Sequence, residues 1–318
     1  MSIFNKTVAV VIPCYKVILH IEKVVKSIPE YVDLIVLVND CSPDNTGEVI
    51  QKISEQNLKV TVLSHTENQG VGGAMITGFQ YVLQKNSDFV VKIDGDGQMD
   101  ASQIDKFILP LVEQDFDFSK GNRFFQLKTL KNMPFFRRFG NLMLSFLLKV
   151  ASGYWHIFDP TNGYFCIKTE YLTKLDLHKL SKRFFFESSL LIELYYIGAQ
   201  IKDIPQPAIY QDEVSNLSIK QVLFSFPPKL LKAFCRRMTL RYFIFDFNIN
   251  SIYLLLGFPL FFFGLIFGII KWIFYSTLNT PAPTGTIMIA MLSIILGAQM
   301  ILSLFQYDMN SKNPFRQQ

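Results

Sequence analysis

Short apolar runs rich in β-branched residues recur along the first third of the chain, and polar segments separate them. The intervening segments carry apolar residues at helical spacing. Continuous apolar runs are typical of buried parallel strands, and strands that alternate with helices form a doubly wound α/β sheet. The predicted strands are Val8–Ile12, Leu34–Val38, Val60–Leu63 and Phe89–Ile93, and the predicted helices are Val17–Ile28, Ser42–Ile53 and Ala74–Gln84.

The alternation continues beyond Asp100 in a weaker form. The pattern predicts a helix over Gln103–Val112, a strand over Phe118–Phe124 and an amphipathic helix over Phe135–Val150. A turn around Asp159 is expected to lead into another strand, and a helix is expected to follow near Glu187. The sheet should therefore gain further strands after the first four.

Two long uncharged runs follow, Ile252–Ile270 and Thr286–Tyr307. Each is close to the roughly 20 apolar residues that cross a bilayer as a helix. The segment 276–285 between them contains Pro281 and Pro283, which break a continuous helix. We therefore expect a hairpin of two transmembrane helices. Two buried core helices are the alternative, and it is disfavoured because neither run has a polar face.

These patterns divide the chain into a globular domain (1–220), an amphipathic juxtamembrane segment (221–249), a transmembrane hairpin (250–307) and a tail (308–318). The net charge is +5, and basic residues crowd both sequence flanks of the hairpin. They are Lys229, Lys232, Arg236, Arg237 and Arg241 before it and Lys312 and Arg316 after it. The positive-inside rule then places the globular domain and the tail in the cytoplasm. Lipid phosphates rather than nucleic acid are the expected partners of this cluster, because no aromatic-basic motif accompanies it.

The four cysteines fit a reducing compartment. Cys14, Cys41, Cys166 and Cys235 lack Cys-x-x-Cys spacing, which indicates neither a zinc site nor a disulfide framework. Met1–Lys6 leads directly into the first apolar run, so no export signal is expected. Together with the hairpin, these features match a protein of the bacterial inner membrane.

Two carboxylates two residues apart, Asp94 and Asp96, follow the fourth predicted strand, and glycines flank the second of them. Side chains at i and i+2 of an extended segment point the same way, and glycine lets a ligand approach the backbone. Carboxylate oxygens suit Mg²⁺ or Mn²⁺, which commonly binds together with substrate phosphates. A solvated Asp/Gly turn is the alternative for this motif taken alone.

Other polar residues also fall at the carboxyl ends of predicted strands. Asp40 follows the second strand, Gly70 opens the helix after the third, and Arg123 closes a later strand. Ligands of doubly wound sheets bind beyond these ends. We therefore expect these residues and the paired aspartates to form one cleft.

Six short segments follow one another along the chain: Val10–Tyr15, Val38–Thr46, Asn68–Ala74, Asp94–Gln98, Gly121–Arg123 and Asp159–Tyr164. In this order, and with a hairpin behind them, they resemble the GT-A glycosyltransferases of family 2. The closest resemblance is to polyprenyl-phosphate glycosyltransferases of the dolichyl-phosphate mannose synthase type. This implies a GT-A fold and inverting, metal-dependent transfer of a hexosyl group. The donor would be a nucleoside diphosphate sugar, and the acceptor undecaprenyl or dolichyl phosphate.

The resemblance also implies roles for individual residues. The expected metal ligands are Asp96, Gln98 and Asp94, and the expected catalytic set is Asp94, Asp96, Asp159 and Arg123. The expected nucleotide-sugar contacts are Pro13, Tyr15, Asp40, Gly70, Asp94, Asp96 and Glu187. The expected contacts of the acceptor phosphate are Arg123, Arg137, Arg138 and Asn141.

The chemistry of such a transfer can be argued from charge. A diphosphate leaving group gains negative charge as its bond to the sugar breaks, and a divalent cation neutralises that charge. An acceptor phosphate has a second pKa of about 6 and is largely dianionic at neutral pH, so it needs no general base. Guanidinium groups bind phosphate through paired hydrogen bonds, which favours Arg123. Arg137 and Arg138 would serve equally well as contacts for lipid headgroups.

Two positions depart from the family pattern. Lys16-Val17 replaces the usual Asn-Glu pair, and Asn39-Asp40 replaces paired acids, so only Asp40 keeps a carboxylate for the base or ribose. Asp159 is a candidate to orient the sugar or acceptor, or a cap of its turn. Glu187 is a candidate for sugar hydroxyls, or a helix cap. The acidic pair Asp212-Glu213 is a weaker candidate for a site residue.

Two other functions stay open at this point. A membrane-anchored family 2 enzyme that extends a saccharide, as in cell envelope polysaccharide synthesis, needs a general base, for which Asp159 or Glu187 would qualify. A catalytically inactive membrane scaffold that binds nucleotide would not need both Asp94 and Asp96. Association of copies into a homo-oligomer is also left open.

Overall fold

The computed structural model of the protein describes residues 5–123, 135–206 and 219–317, without the side chains at 135–139, 141, 219–223 and 317. The chain forms two compact units. The first comprises Met1–Ala233 and Phe315–Gln318, and the second comprises Phe234–Pro314. The first unit contains the sheet, and the second contains the long apolar helices.

A seven-stranded sheet lies at the centre of the first unit, in the order β3-β2-β1-β4-β6-β5-β7. β6 runs antiparallel to its neighbours β4 and β5, and every other adjacent pair is parallel. The strands are β1 (Val8–Cys14), β2 (Leu34–Asn39), β3 (Val60–Ser64), β4 (Phe89–Lys92), β5 (Phe118–Asn122), β6 (Phe165–Lys168) and β7 (Ile201–Pro205). The prediction of a mostly parallel α/β sheet is confirmed.

Helices pack on both faces of this sheet. Val10 and Ile12 of β1 join a core with α1 and α4, whereas Val11 on the opposite face contacts α3. Gly78 permits that contact, because a Cβ there would lie 2.3 Å from Val11 Cγ1. The helices of this unit, the last of which continues into the second, are α1 (Ile21–Ser27), α2 (Thr46–Gln56), α3 (Val71–Lys85), α4 (Ile104–Glu113), α5 (Phe135–Ser152), α6 (Thr169–Lys174), α7 (Phe186–Tyr196) and α8 (Ile219–Thr239).

α1 begins at Ile21, later than the predicted start at Val17. Lys16 adopts a positive φ of 56°, and its backbone N–H donates to Ser42 Oγ at 2.8 Å. The N–H of Val17 donates to Thr46 Oγ1 at 3.3 Å. The segment after β1 is therefore bound to the beginning of α2 instead of starting a helix.

One edge of the sheet collects the chain segments that were expected to form a cleft. Because β1, β2, β4 and β5 are all parallel in direction, their carboxyl ends share this edge. β6 runs the other way and therefore begins at the same edge. This direction brings the turn before β6, which contains Asp159, to the edge that also holds Asp94 and Arg123.

The second unit contains two helices that are long and apolar enough to cross a membrane, α9 (Ile249–Thr277) and α10 (Thr284–Asn310). They correspond to the two predicted spans. The helices pack closely at small residues, since a Cβ at Gly297 would lie 2.5 Å from the backbone nitrogen of Phe261. The six residues between them, 278–283, lie outside both helices, as the prolines of the connector predict.

A buried ionic cluster lies near the carboxyl end of α10. Both terminal guanidinium nitrogens of Arg237, Nη1 and Nη2, donate to Asp308 at 2.9 Å, and Tyr242 donates to the same carboxylate at 2.9 Å. Arg241 Nη1 lies 3.1 Å from Asp308 Oδ1. The prediction that the whole basic cluster meets lipid phosphates is therefore wrong for Arg237 and Arg241. Their partner is an acid that closes the second apolar helix.

Candidate active site

The first of the paired aspartates meets a buried lysine at the end of β4. Lys92 Nζ lies 2.7 Å from Asp94 Oδ1 and 3.3 Å from Glu187 Oε1. The Lys92 side chain is 1% exposed, compared with 30% for Asp94 and 15% for Glu187. Although burial lowers the pKa of Lys92, the two carboxylates raise it more, and the net shift is upward. Lys92 is therefore charged at neutral pH and joins Glu187 to Asp94.

Asp96 lies in the tight turn that follows. The backbone N–H of Gln98 donates to Asp96 Oδ1 at 2.9 Å, and Gly97 adopts a φ of 75°. That conformation favours glycine, because a Cβ would strain the backbone. Asp94, Asp96 and Gln98 are all partly exposed at the edge of the sheet.

These residues provide an incomplete set of oxygen ligands. Within the three described stretches of the chain, no three His, Cys, Asp or Glu side chains are grouped to hold a metal ion by themselves. Mg²⁺ at nucleotide sites usually takes one or two carboxylates and completes its coordination with water and substrate phosphates. Asp94 and Asp96, with the amide oxygen of Gln98, suit a divalent cation of this kind.

Asp40 is almost completely buried, with 2% of its surface exposed. Its oxygens accept hydrogen bonds from the backbone N–H groups of Gln69 and Gly70, at 2.8 and 2.7 Å, and from His65 Nδ1 at 2.8 Å. Gly70, with a φ of 83°, caps α3. In the structure Asp40 therefore fixes the glycine-rich loop, residues 68–73, and its contact with a nucleotide stays a prediction.

The segment before α7 packs against that loop. The N–H of Gly73 donates to the carbonyl of Lys182 at 2.9 Å, and a Cβ at Gly72 would lie 2.1 Å from the carbonyl oxygen of Ser181. The same segment leads into Glu187 in the first turn of α7. The glycine-rich loop and the Lys92–Asp94 pair are thus connected through a short stretch of chain.

Arg123 and Asp159 form a two-point ion pair. Arg123 Nε donates to Asp159 Oδ2 at 2.8 Å and Nη2 donates to Oδ1 at 3.2 Å, while the backbone N–H of Arg123 also donates to Oδ2. The Asp159 side chain is fully buried, whereas the Arg123 side chain is 45% exposed. Burial raises the pKa of the Asp159 carboxyl, but Arg123 and Lys120 lower it more, and it falls below its usual 3.8.

A second buried lysine, Lys120, binds the turn that contains Asp159. Lys120 Nζ donates to the carbonyls of Asp159 and Asn162, both at 2.7 Å. Burial lowers the pKa of Lys120 to about 8. Since β5 carries both Lys120 and the approach to Arg123, one strand positions the turn and the arginine together.

The departure from the family pattern after β1 has a structural counterpart. Val17 is buried, and a Cβ at Gly95 would lie 3.3 Å from both of its methyl carbons. An apolar side chain therefore supports the aspartate turn where an acid is usual. Tyr15 is 40% exposed, and Pro13 lies near the carboxyl end of β1. The expected contacts of these two residues with the nucleotide stay predictions.

Several predicted acceptor contacts cannot be placed at the level of side chains. Arg137, Arg138 and Asn141 lie on α5, but their side chains are outside the described residues. Asp212 and Glu213 also lie outside them.

Three residues of this site were not predicted from the sequence: Lys92, Lys120 and His65. Each of the two lysines lies in a strand of otherwise apolar or small residues. This contrast was the feature of the sequence from which they could have been predicted. A lysine is almost never fully buried unless it is paired, so a lysine inside a buried strand predicts an acidic or carbonyl partner nearby. His65 carried no such signal, because its partners Asp40 and Thr77 are distant in sequence.

The chain resembles known proteins over most of its length. The glycosyl transferase family 2 pattern matches residues 9–176. Over 221 residues the chain is 30% identical to the UDP-N-acetylglucosamine–dolichyl-phosphate N-acetylglucosaminyltransferase of Methanococcus voltae, which covers 65% of this chain and 88% of that protein. It is 27% identical over 200 residues to the polyprenol monophosphomannose synthase of Mycolicibacterium smegmatis, which covers 60% of this chain and 73% of that protein.

A solved structure with a similar fold is glucosyl-3-phosphoglycerate synthase from Mycobacterium tuberculosis in complex with uridine diphosphate. Its TM-score is 0.54 at 19% identity, over 74% of this chain and 80% of that chain. The mostly parallel sheet, with the paired aspartates at its carboxyl edge, has the GT-A fold. The chain belongs to glycosyl transferase family 2, and its relatives include enzymes named for transfer to dolichyl and polyprenyl phosphates.

Proposed function

We propose that this glycosyltransferase transfers a sugar, with inversion, from a nucleoside diphosphate sugar to a membrane polyprenyl phosphate at the cytoplasmic face. The names of the relatives from Methanococcus voltae and Mycolicibacterium smegmatis support a lipid phosphate acceptor. The two long apolar helices support attachment to the membrane that holds such a lipid.

The observation that carries the proposal is the state of Asp159. Its carboxylate is fully buried, both oxygens face Arg123, and its pKa lies below the usual value. A weak base in that setting is a poor proton acceptor at neutral pH. A sugar hydroxyl would need such an acceptor, whereas a phosphate dianion does not. The site therefore suits a phosphate acceptor better than a hydroxyl acceptor.

Glu187, the other acid that the sequence suggested as a general base, is also engaged in an ion pair. It lies 3.3 Å from the ammonium of Lys92 and is 15% exposed. The second candidate function, extension of a saccharide, therefore lacks support from both acids on which it would depend.

Arg123 is the residue that would hold the acceptor. Its guanidinium is held by Asp159, and the side chain as a whole is 45% exposed. A pre-oriented guanidinium on a partly exposed side chain can bind phosphate and hold an oxygen in line with the anomeric carbon. Pre-orientation lowers the entropy lost on binding, because the side chain is already ordered.

The donor would bind at the paired aspartates. A divalent cation held there by Asp94, Asp96 and Gln98 would neutralise the charge that develops on the diphosphate. The glycine-rich loop, fixed by Asp40 at Gly70, is the segment that would accept the nucleotide part close to its backbone. Inversion follows from a single in-line attack by the acceptor.

The outer face of α5 supports access of a lipid to this site. Leu142, Met143 and Phe146 are each about half exposed on this helix, with exposed fractions of 56%, 45% and 55%. An amphipathic helix with such a face lies well in the headgroup region of a membrane. Phe158, one residue before Asp159, is also 48% exposed.

The test is incubation of purified protein with Mn²⁺ or Mg²⁺, undecaprenyl phosphate and a panel of radiolabelled nucleotide sugars. We expect one or more sugars to enter an organic-soluble, mildly acid-labile product. The same donors are offered with oligosaccharide acceptors in place of the lipid. Label that enters only the saccharides would overturn the proposal and support saccharide extension.

A further inference from the structure

The ammonium of Lys92 is surrounded by three acceptors from three separate parts of the chain. They are Asp94 Oδ1 at 2.7 Å, the Gly163 carbonyl at 3.2 Å and Glu187 Oε1 at 3.3 Å. A lysine has three N–H donors and no acceptor. One donor is therefore available for each of three segments: the turn that contains Asp94 and Asp96, the turn before β6, and the first turn of α7.

Stability alone is a weak explanation for this cluster. Moving an ammonium group out of water costs several kcal/mol, and well-packed apolar residues of similar volume often replace a buried ion pair without loss. The neighbours of Lys92 in β4 are apolar. Both acids of the cluster remain partly exposed at the edge of the sheet that forms the candidate site.

We propose that Lys92 is a positioning residue of the metal and donor site: it holds Asp94 in place and keeps Glu187 from acting as a further metal ligand. This inference rests on the proposed function. The cation then depends on the donor diphosphate to complete its coordination. Metal and donor consequently bind together.

Charge supports this assignment. Asp94, Asp96 and Glu187 carry three negative charges, and Lys92 cancels one of them. Without Lys92, the two carboxylates that now share its ammonium group, Asp94 and Glu187, would be left uncompensated in the same site as Asp96. Uncompensated carboxylates attract a divalent cation even in the absence of a nucleotide. Lys92 thus keeps the affinity for metal low when no nucleotide is bound.

Gly163 shows how closely the cluster is packed. A Cβ at this position would lie 2.4 Å from Lys92 Nζ and 3.0 Å from Asp94 Oδ2. Even an alanine would therefore force the ammonium or the carboxylate to move. The turn that carries Asp159 must approach Lys92 without a side chain at this point.

The test measures binding of Mn²⁺ alone, by calorimetry, to the full-length wild-type protein in detergent and to Lys92→Met. Methionine keeps an unbranched side chain, one atom shorter than that of lysine, and removes its charge. We expect Lys92→Met to bind Mn²⁺ at least about tenfold more tightly than wild type, because a nearby positive charge has been removed. Weaker or unchanged Mn²⁺ binding by a folded Lys92→Met protein would overturn the proposal.

Two further variants keep the test decisive if Lys92→Met does not fold. Lys92→Met/Glu187→Gln has one buried carboxylate fewer to leave unpaired, and it is compared with Glu187→Gln alone. We expect the double variant to bind Mn²⁺ more tightly than Glu187→Gln, since its Asp94 has lost the ammonium. Equal affinities would show that Lys92 does not restrain Asp94.

Turnover separates this inference from the proposed function. We expect Lys92→Met to lower kcat by at least about tenfold with a smaller change in the KM of the donor, because a misplaced carboxylate affects orientation more than affinity. If wild type makes no lipid-linked product, the proposed acceptor is wrong, while the Mn²⁺ comparison still decides the role of Lys92.

Discussion

Buried charges account for the geometry of the candidate site at the scale of single residues. Lys92 and Lys120 enter it from neighbouring parts of the sheet, and each binds the turn between Asp159 and Gly163. Asp159 in turn fixes the guanidinium of Arg123. Each buried charge has a named partner, as the high cost of an isolated charge requires. The partly exposed side chains of Arg123 and Asp94 are thus held by groups that solvent does not reach.

Asp159→Asn tests whether the arginine is oriented for the acceptor. The amide cannot form the same charged, two-point contact with Arg123, so the guanidinium loses its fixed direction. We expect the KM for polyprenyl phosphate to rise about 30-fold, which corresponds to about 2 kcal/mol, with little change in the KM of the donor. Asp176→Asn, at an exposed cap, is the control. An equal rise in both KM values would move Arg123 to the donor side.

The pH dependence of transfer tests the absence of a general base. The pKa of Asp159 lies below 3.8, so this carboxyl stays ionised down to that range and contributes no loss of activity near pH 6. The acceptor phosphate gains a proton as the pH falls through about 6. We expect kcat/KM for the acceptor to fall below that pH equally in wild type and in Glu187→Gln. An acid limb that disappears in Glu187→Gln would identify that residue as a base.

At the scale of elements, the apolar runs predicted β1 to β4 and their order with the helices, because buried parallel strands are continuous in sequence. The direction of β6 could not be predicted. It depends on pairing with β4 and β5, which are distant in sequence, and a short run such as Phe165–Lys168 fits either direction. The paired aspartates were predicted from their spacing together with the polar residues at other strand ends and the family resemblance, and their role at the metal stays a prediction. Their link to Glu187 was not, since it requires the fold that brings α7 beside β4.

The ionic cluster at the end of α10 makes a prediction at this scale. Asp308→Asn removes the charge that faces Arg237 and Arg241 and leaves buried guanidinium groups uncompensated. We expect a loss of about 3 kcal/mol of stability, seen as a lower Tm of the detergent-solubilised protein. Asp246→Asn makes the same chemical change at an exposed site and should leave Tm unchanged. Equal Tm values for both variants would mean that the cluster does not stabilise the second unit.

At the scale of the whole molecule, the chain consists of a family 2 glycosyltransferase domain and a pair of long apolar helices, which differ in charge and hydropathy. Basic residues occur before and after these helices, and their connector is nearly uncharged. The positive-inside rule therefore favours a cytoplasmic domain and a connector on the opposite side. We therefore expect the proposed donor to reach the domain from the cytoplasm.

Native cysteines allow this orientation to be measured. Cys14 and Cys166 are buried, whereas Cys41 and Cys235 are exposed. In a Cys235→Ser protein we expect a membrane-impermeant maleimide to label Cys41 in inside-out vesicles and not in intact cells. Thr280→Cys, placed in the connector of a protein that also carries Cys41→Ser and Cys235→Ser, should show the reverse. Labelling of Cys41 in intact cells would place the domain outside the cytoplasm.

The most direct test of the account is metal-dependent transfer to undecaprenyl phosphate by wild type, Asp96→Asn and Asp100→Asn. Each protein is titrated with Mn²⁺ using the donor that wild type prefers. Asp100→Asn makes the same change beside the site and keeps its backbone cap. We predict that wild type and Asp100→Asn require Mn²⁺ or Mg²⁺, and that Asp96→Asn folds but loses at least about a hundredfold in turnover. Full turnover by Asp96→Asn, or transfer that persists in excess chelator, would contradict the account.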